Sequence, residues 1–163
     1  MPFDYYQRLS KRNQAVYRRS DRLTEITLTR PEIMRPGIPI LQQALADDDR
    51  RAVELACKGL LAGLCADLAV PPVTMKVQAV RPHSDNAELH GLYEPADGRK
   101  YAVISLWMRT ARHKRVVAFK TFLRTLLHEF CHHLDYEYYK LAESFHTEGF
   151  LKRESSLFKQ LTE

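Results

Sequence analysis

Cysteine is scarce in this chain. Its 163 residues include three, Cys57, Cys65 and Cys131, and no C-x-x-C. That excludes a disulfide framework and a zinc ribbon. Cys57 and Cys65 fall on one predicted helix, which places their Cα atoms ~12 Å apart, too far for a disulfide or one shared ion. All three are expected as small packing residues. Long apolar runs are also lacking. None approaches the ~18 residues of a membrane span, so no membrane partner is expected. The opening Met-Pro-Phe-Asp-Tyr-Tyr has no basic segment followed by an apolar one. The expectation is no secretory signal and a cytoplasmic location. No repeat or low-complexity segment is visible. A strong charge excess is missing too: 25 Lys and Arg against 20 Asp and Glu give +5. That balance permits contact with nucleic acid without requiring it.

What remains is ordinary globular composition, 45% hydrophobic and 28% charged. The length suits one domain over 1–163. Its first part, 1–72, reads as helical. Residues 4–18 suggest a basic helix with Tyr5, Leu9 and Val16 on its apolar side. Residues 30–39, with three prolines and a glycine, suggest a loop. A long helical segment follows from Ile40 to Leu68, with Asp47, Asp48 and Asp49 suited to cap a new start within it. The second part, 73–163, holds three predicted strands: Val73–Val80, Ala87–Tyr93 and Lys100–Met108. Asp97–Gly98 predicts a hairpin between the last two. Helices are predicted over Val117–Tyr138 and Thr147–Leu161, the latter capped by Thr147. Segregated helices and strands predict an α+β fold, with a small antiparallel or mixed sheet packed on helices.

The chemistry concentrates in TLLHEFCHH, residues Thr125 to His133. Positions i and i+4 share a helix face, so His128 and His132 can turn their imidazoles to one ion. Glu129, beside the first histidine, can then take a proton from activated water. His-Glu-x-x-His thus joins two ligands and a base on one turn. A third ligand must come from elsewhere. The tenth position after His128 is Tyr138, not the histidine of a metzincin. The twentieth after His132 is Lys152, not the glutamate of a thermolysin-like enzyme. His146, just before a predicted helix, is the favoured candidate, against Glu143, Glu148 and Glu154. Among the neighbours, His133 is turned about 100° from His132 and reads as a surface residue or a support. Asp135 reads as an exposed aspartate, or as a carboxylate orienting a ligand imidazole. Tyr136, Tyr138 and Tyr139 read as packing residues or cleft lining.

The stretch from Lys100 to Phe150 resembles the SprT-like (Spartan-type) zinc metallopeptidases. The resemblance rests on YAVISLW, the basic connection RTARHKR, HEFCH, and His146-Thr147-Glu148-Gly149-Phe150. It covers about a third of the chain; Thr147 stands where the family usually has glycine, and the family's cysteine-rich zinc ribbon is missing. The resemblance implies a zincin-like fold, Zn²⁺ held by His128, His132 and His146, and Glu129 as catalytic base. It also implies protein or peptide substrates and work near DNA.

The expected function is therefore a zinc-dependent metallopeptidase. The competing expectations are a zinc-stabilised DNA- or protein-interaction module, and a metal hydrolase with a non-peptide substrate. Glu129 separates the first of these from an enzyme, since a closed structural site has no use for a base. Arg109, Arg112, Lys114 and Arg115 offer a weak, non-specific DNA contact, although such a run is usually a solvated loop. A sheet edge is expected to receive an extended peptide by strand addition.

Overall fold

Proline placement reshapes the N-terminal part. The structure, a computed structural model, describes residues 2–80, 91–110 and 113–163. The stretch expected as one helix over 4–18 divides into a 3-10 turn at Asp4–Arg8 and helix α1 at Lys11–Arg22. Leu9 and Ser10 between them are extended, and the Ser10 side chain caps α1 by accepting from the Asn13 N–H. Tyr17, rather than Val16, is the buried apolar residue of α1. The expected loop at 30–39 is instead helical: α2 spans Pro31–Met34 and α3 spans Gly37–Ala46. Its prolines are compatible with helix because Pro31 opens α2 while Pro36 and Pro39 sit at the start of α3. There the missing N–H has no intrahelical partner to lose.

The aspartate triplet does divide the next segment. Asp48 takes a left-handed backbone (φ 53°), and the Asp49 carboxylate caps α4, Arg50–Leu68, by accepting from the Ala52 N–H. The apolar stripe of α4 is buried, including Val53, Leu60, Leu61, Leu64 and Leu68. Cys57, Cys65 and Cys131 are free and buried.

Three strands follow: β1 Val73–Val80, β2 Gly91–Glu94 and β3 Ala102–Arg109. The predicted start of the second strand, 87–90, lies outside the described residues. β3 is central in the order β1-β3-β2. It pairs in parallel with β1, Met75 opposite Ile104, and antiparallel with β2, Tyr93 opposite Ile104. The sheet is thus mixed, and the hairpin signal at Asp97–Gly98 is realised with Gly98 at φ 81°. Every residue of β3 from Ala102 to Met108 is buried, which explains its apolar character on both faces.

The outer edge of β1 is blocked by α4. Glu54 accepts from the Val77 N–H at 2.9 Å, and Arg50 donates to the Val77 carbonyl at 2.9 Å. The two side chains also pair with each other at 3.3 Å. They stand where another strand would bond, leaving β2 as the other edge among the described residues.

Helix α5, Phe119–Glu137, packs across β2 and β3. Helix α6, Glu148–Thr162, packs on α5 and α1, with Thr147 as its N-cap accepting from the Phe150 N–H. One apolar cluster runs from Ile26 to Leu161 and joins both parts of the chain.

Candidate metal centre

Helix α5 carries HEFCH with its apolar positions inward. Phe122, Leu123, Leu126, Leu127, Phe130 and Leu134 are buried, which fixes the helix rotation. His128 and His132 then project from one face, with ring centroids 5.1 Å apart. The turn before α6 brings His146 to them. Its Nε2 lies 3.1 Å from His128 Nε2 and 3.0 Å from His132 Nε2. Two nitrogens held at ~2.0–2.1 Å around a tetrahedral ion stand ~3.3 Å apart. The three imidazoles therefore converge as ligands of one ion do, their donor atoms all within 4.8 Å of one another. Phe150 floors the cluster, with ring centroids 4.7–5.3 Å from all three histidines.

Each ring is oriented from behind. His128 Nδ1 donates to Glu154 Oε1 at 2.7 Å, which leaves the Nε2 lone pair facing the other histidines. His132 Nδ1 lies 2.7 Å from Ser144 Oγ, and Ser144 donates to Asp135 Oδ2 at 2.7 Å. Asp135 Oδ1 accepts from Arg153 at 2.8 Å, both side chains being fully buried. Tyr5 holds the backbone of the third histidine by donating to the His146 carbonyl at 2.8 Å.

The electrostatics favour neutral His132 and His146. Burial, with His128 and His146 close by, pushes His132 down to about 3, and burial also lowers His146. Neutral histidine is the form that ligates metal. Glu129 is buried, and its Oε2 has no hydrogen-bond partner among the described residues. Burial pushes this carboxyl up to about 7, against a lowering contribution from His128. A divalent cation at the histidines would favour its charged form. An unpartnered buried carboxylate oxygen together with three convergent imidazoles fits a metal with a water on it.

Gly91 lets β2 lie against Glu129. A Cβ there would meet Glu129 Cγ at 3.0 Å and Leu106 Cδ2 at 2.7 Å. The next residue on that face, Tyr93, stacks on the His132 and Tyr136 rings.

No family model, curated protein or solved structure matches the chain. The SprT-like resemblance therefore stands on its motifs alone.

Of the predicted site residues, the structure gathers His128, His132 and His146. It separates the rival ligands from the cluster. Glu154 sits behind His128, on the nitrogen away from the other rings. Glu148 is exposed and pairs with Lys152, and Glu143 is exposed. Two expectations need correction. Asp135 is fully buried in an ion pair, not exposed. His133 is buried as well, bridging the Pro71 carbonyl and the Tyr93 hydroxyl at 2.8 and 2.9 Å. In the basic linker, Arg109 pairs with Asp48 and donates to the Lys114 carbonyl. Lys114 and Arg115 are exposed, and Arg112 lies outside the described residues. Ser144, Arg153 and the Phe150 floor carry no local signal in the sequence beyond Phe150's place in the family-like element.

Proposed function

We propose that this chain is a zinc-dependent metallopeptidase of the zincin-like, SprT-like kind. The convergence of the His128, His132 and His146 Nε2 atoms beside the partnerless Oε2 of Glu129 carries this reading. Imidazole ligands suit zinc. When bound, zinc supplies Lewis-acid activation of water and of a scissile carbonyl. Glu129 Oε2 takes the proton of the attacking water and returns it to the leaving amine. Its burial keeps competing solvent from that oxygen. Three protein ligands leave a position open, as catalytic sites do and closed structural sites do not. This favours an enzyme over a zinc-stabilised interaction module. A peptide is favoured over other acyl substrates by β2, at the sheet edge among the described residues, whose Gly91 backbone lies against Glu129. An extended chain added to that edge would lie next to the base.

Weak, sequence-independent DNA contact through Lys114 and Arg115, with Arg109 and Arg112, remains part of the proposal. So does a cytoplasmic location; no helix of the described residues is long and apolar enough to cross a membrane.

The test is zinc content and peptide cleavage of wild type and Glu129→Gln. The variant should keep its zinc while cleavage falls by ~10²–10⁴-fold, the usual worth of a positioned acid–base group. Cleavage at the wild-type rate by the variant would refute Glu129 as base. Absence of zinc from the wild type after loading would refute the centre itself.

A further inference from the structure

Behind His132 lies a hydrogen-bonded chain that the hydrolytic reading does not use. It runs from Arg153 to Asp135 at 2.8 Å, from Asp135 to Ser144 at 2.7 Å, and from Ser144 to His132 Nδ1 at 2.7 Å. We propose that Ser144, Asp135 and Arg153 form a positioning relay that dictates the tautomer of His132 and thereby its readiness to bind a metal. This rests on the reading that the three histidines hold a metal, but the relay also has a signature in the metal-free protein.

The direction of every bond is forced from one end. Arg153 has only donors, so Asp135 accepts from it. An ionised Asp135 has only acceptors, so its second oxygen takes the single hydroxyl hydrogen of Ser144. Ser144 Oγ then has only lone pairs to offer His132 Nδ1, which must carry a proton. A neutral imidazole has one proton, so Nε2 is left bare and faces His146 Nε2 at 3.0 Å. A surface serine would not impose this, because its hydroxyl could rotate and donate instead. Ser144 is half-buried, but the carboxylate beside it is not free to turn to water: Asp135 and Arg153 are both 0% exposed, so Asp135 Oδ2 holds the hydroxyl hydrogen. Arg153 is fixed in turn by donating to the Ser20 and Leu23 carbonyls at 2.7 and 2.5 Å. The relay therefore extends from the carboxyl end of α1 to the proposed metal.

Asp135→Asn inverts this logic without changing shape. Its amide oxygen must face Arg153, because Arg153 cannot accept. The amide nitrogen then faces Ser144 and donates to it. Ser144 has then lost the carboxylate that took its hydrogen, and its other partner among the described residues is His132 Nδ1; with the hydrogen turned there, the imidazole proton moves to Nε2, where it blocks the ligand position.

The experiment is ¹⁵N-edited NMR of the histidine rings in zinc-free protein, followed by Co²⁺ titration read from its d–d absorption. Wild type and Ser144→Thr should show His132 as the Nδ1–H tautomer. Asp135→Asn should show Nε2–H, and Ser144→Ala a mixture. Co²⁺ affinity should fall about 10- to 100-fold in Asp135→Asn and Ser144→Ala, and be restored in Ser144→Thr. Nδ1–H in Asp135→Asn, or in Ser144→Ala at unchanged Co²⁺ affinity, would overturn the relay. If Asp135→Asn does not fold, the Ser144→Ala and Ser144→Thr pair decides alone by the same criteria. If wild type binds no Co²⁺, the metal reading fails, and the tautomers still decide whether the relay exists.

Discussion

Two glycines of this chain should respond in opposite directions to the same added methyl group. Gly149, in the first turn of α6, abuts the end of α1. A Cβ there would lie 2.5 Å from the Asp21 carbonyl oxygen and 2.7 Å from that of Ser20. Neither is a side chain that can rotate away, and the Gly149 N–H donates to Asp21 Oδ1 at 3.0 Å. Relief requires α6 to move off α1. Overpacking of this kind costs ~1–3 kcal/mol, offset by at most ~1 kcal/mol of helix propensity. We expect Gly149→Ala to lose about 1–2 kcal/mol. Gly59 lies inside α4, where an added Cβ would have nothing within 4 Å, so Gly59→Ala should gain about 0.5–1 kcal/mol. For a chain of this size each kcal/mol shifts Tm by about 2–4 °C, so the variants should melt about 3–12 °C apart. Calorimetry in chelator measures this without any contribution from metal. Gly149→Ala melting at or above the wild type would refute the tight α1–α6 approach, and with it the placement of Phe150 and Arg153.

His146→Ala should lower zinc stoichiometry sharply while Glu148→Ala leaves it intact, read by elemental analysis; equal content in both would remove His146 as a ligand. Glu54 is held below its ordinary 4.5, chiefly by the Val77 N–H. A depressed carboxylate contributes stability above its unfolded value and loses it as pH falls through the folded one. The stability advantage of wild type over Glu54→Gln should therefore shrink from about pH 6 to about pH 3 in urea titrations, and a constant gap would contradict the contact. If the linker neutralises phosphates, DNA affinity should fall with salt at a logarithmic slope of ~0.7–0.9 per phosphate. Mutating Arg112, Lys114 and Arg115 to Ala should flatten that slope, and no binding by wild type at low salt would end the idea.

Local signals are legible in the sequence and distant ones are not. The i, i+4 spacing of His128 and His132, the caps within Asp47–Asp49 and at Thr147, and the Asp97–Gly98 turn each depend on neighbours within a few residues. All four appear where the sequence places them. The prolines between 30 and 39 mislead because one composition serves both loops and helix starts. Pro31 at the head of α2 satisfies helix geometry as well as turn geometry. The parallel pairing of β1 with β3 has no local signature, since it depends on which strands meet. Asp135 reads as an ordinary exposed carboxylate because its partner, Arg153, stands eighteen residues away on another helix. Glu154 does lie near the histidines, but behind one of them rather than as a ligand: chemistry alone does not say which nitrogen of His128 a carboxylate will reach.

The hold of α1 and the residues before it on the His146 turn ties the third histidine to the far end of the chain. His128 and His132 face each other as soon as one turn of α5 coils, a local event. The turn that carries His146 is fixed by contacts that span 141 residues at Tyr5, 127 at Ser20–Thr147 and 133 at Arg153–Ser20. Closing a loop of that length costs ~4 kcal/mol of chain entropy before any contact forms. A chain whose distant segments have not met lacks these restraints on the third imidazole. If the three histidines hold a metal, its tight uptake during refolding should follow the burial of Tyr17 rather than the appearance of helix. An ion bound by all three histidines stabilises the folded state by mass action and would act as a latch on long-range closure.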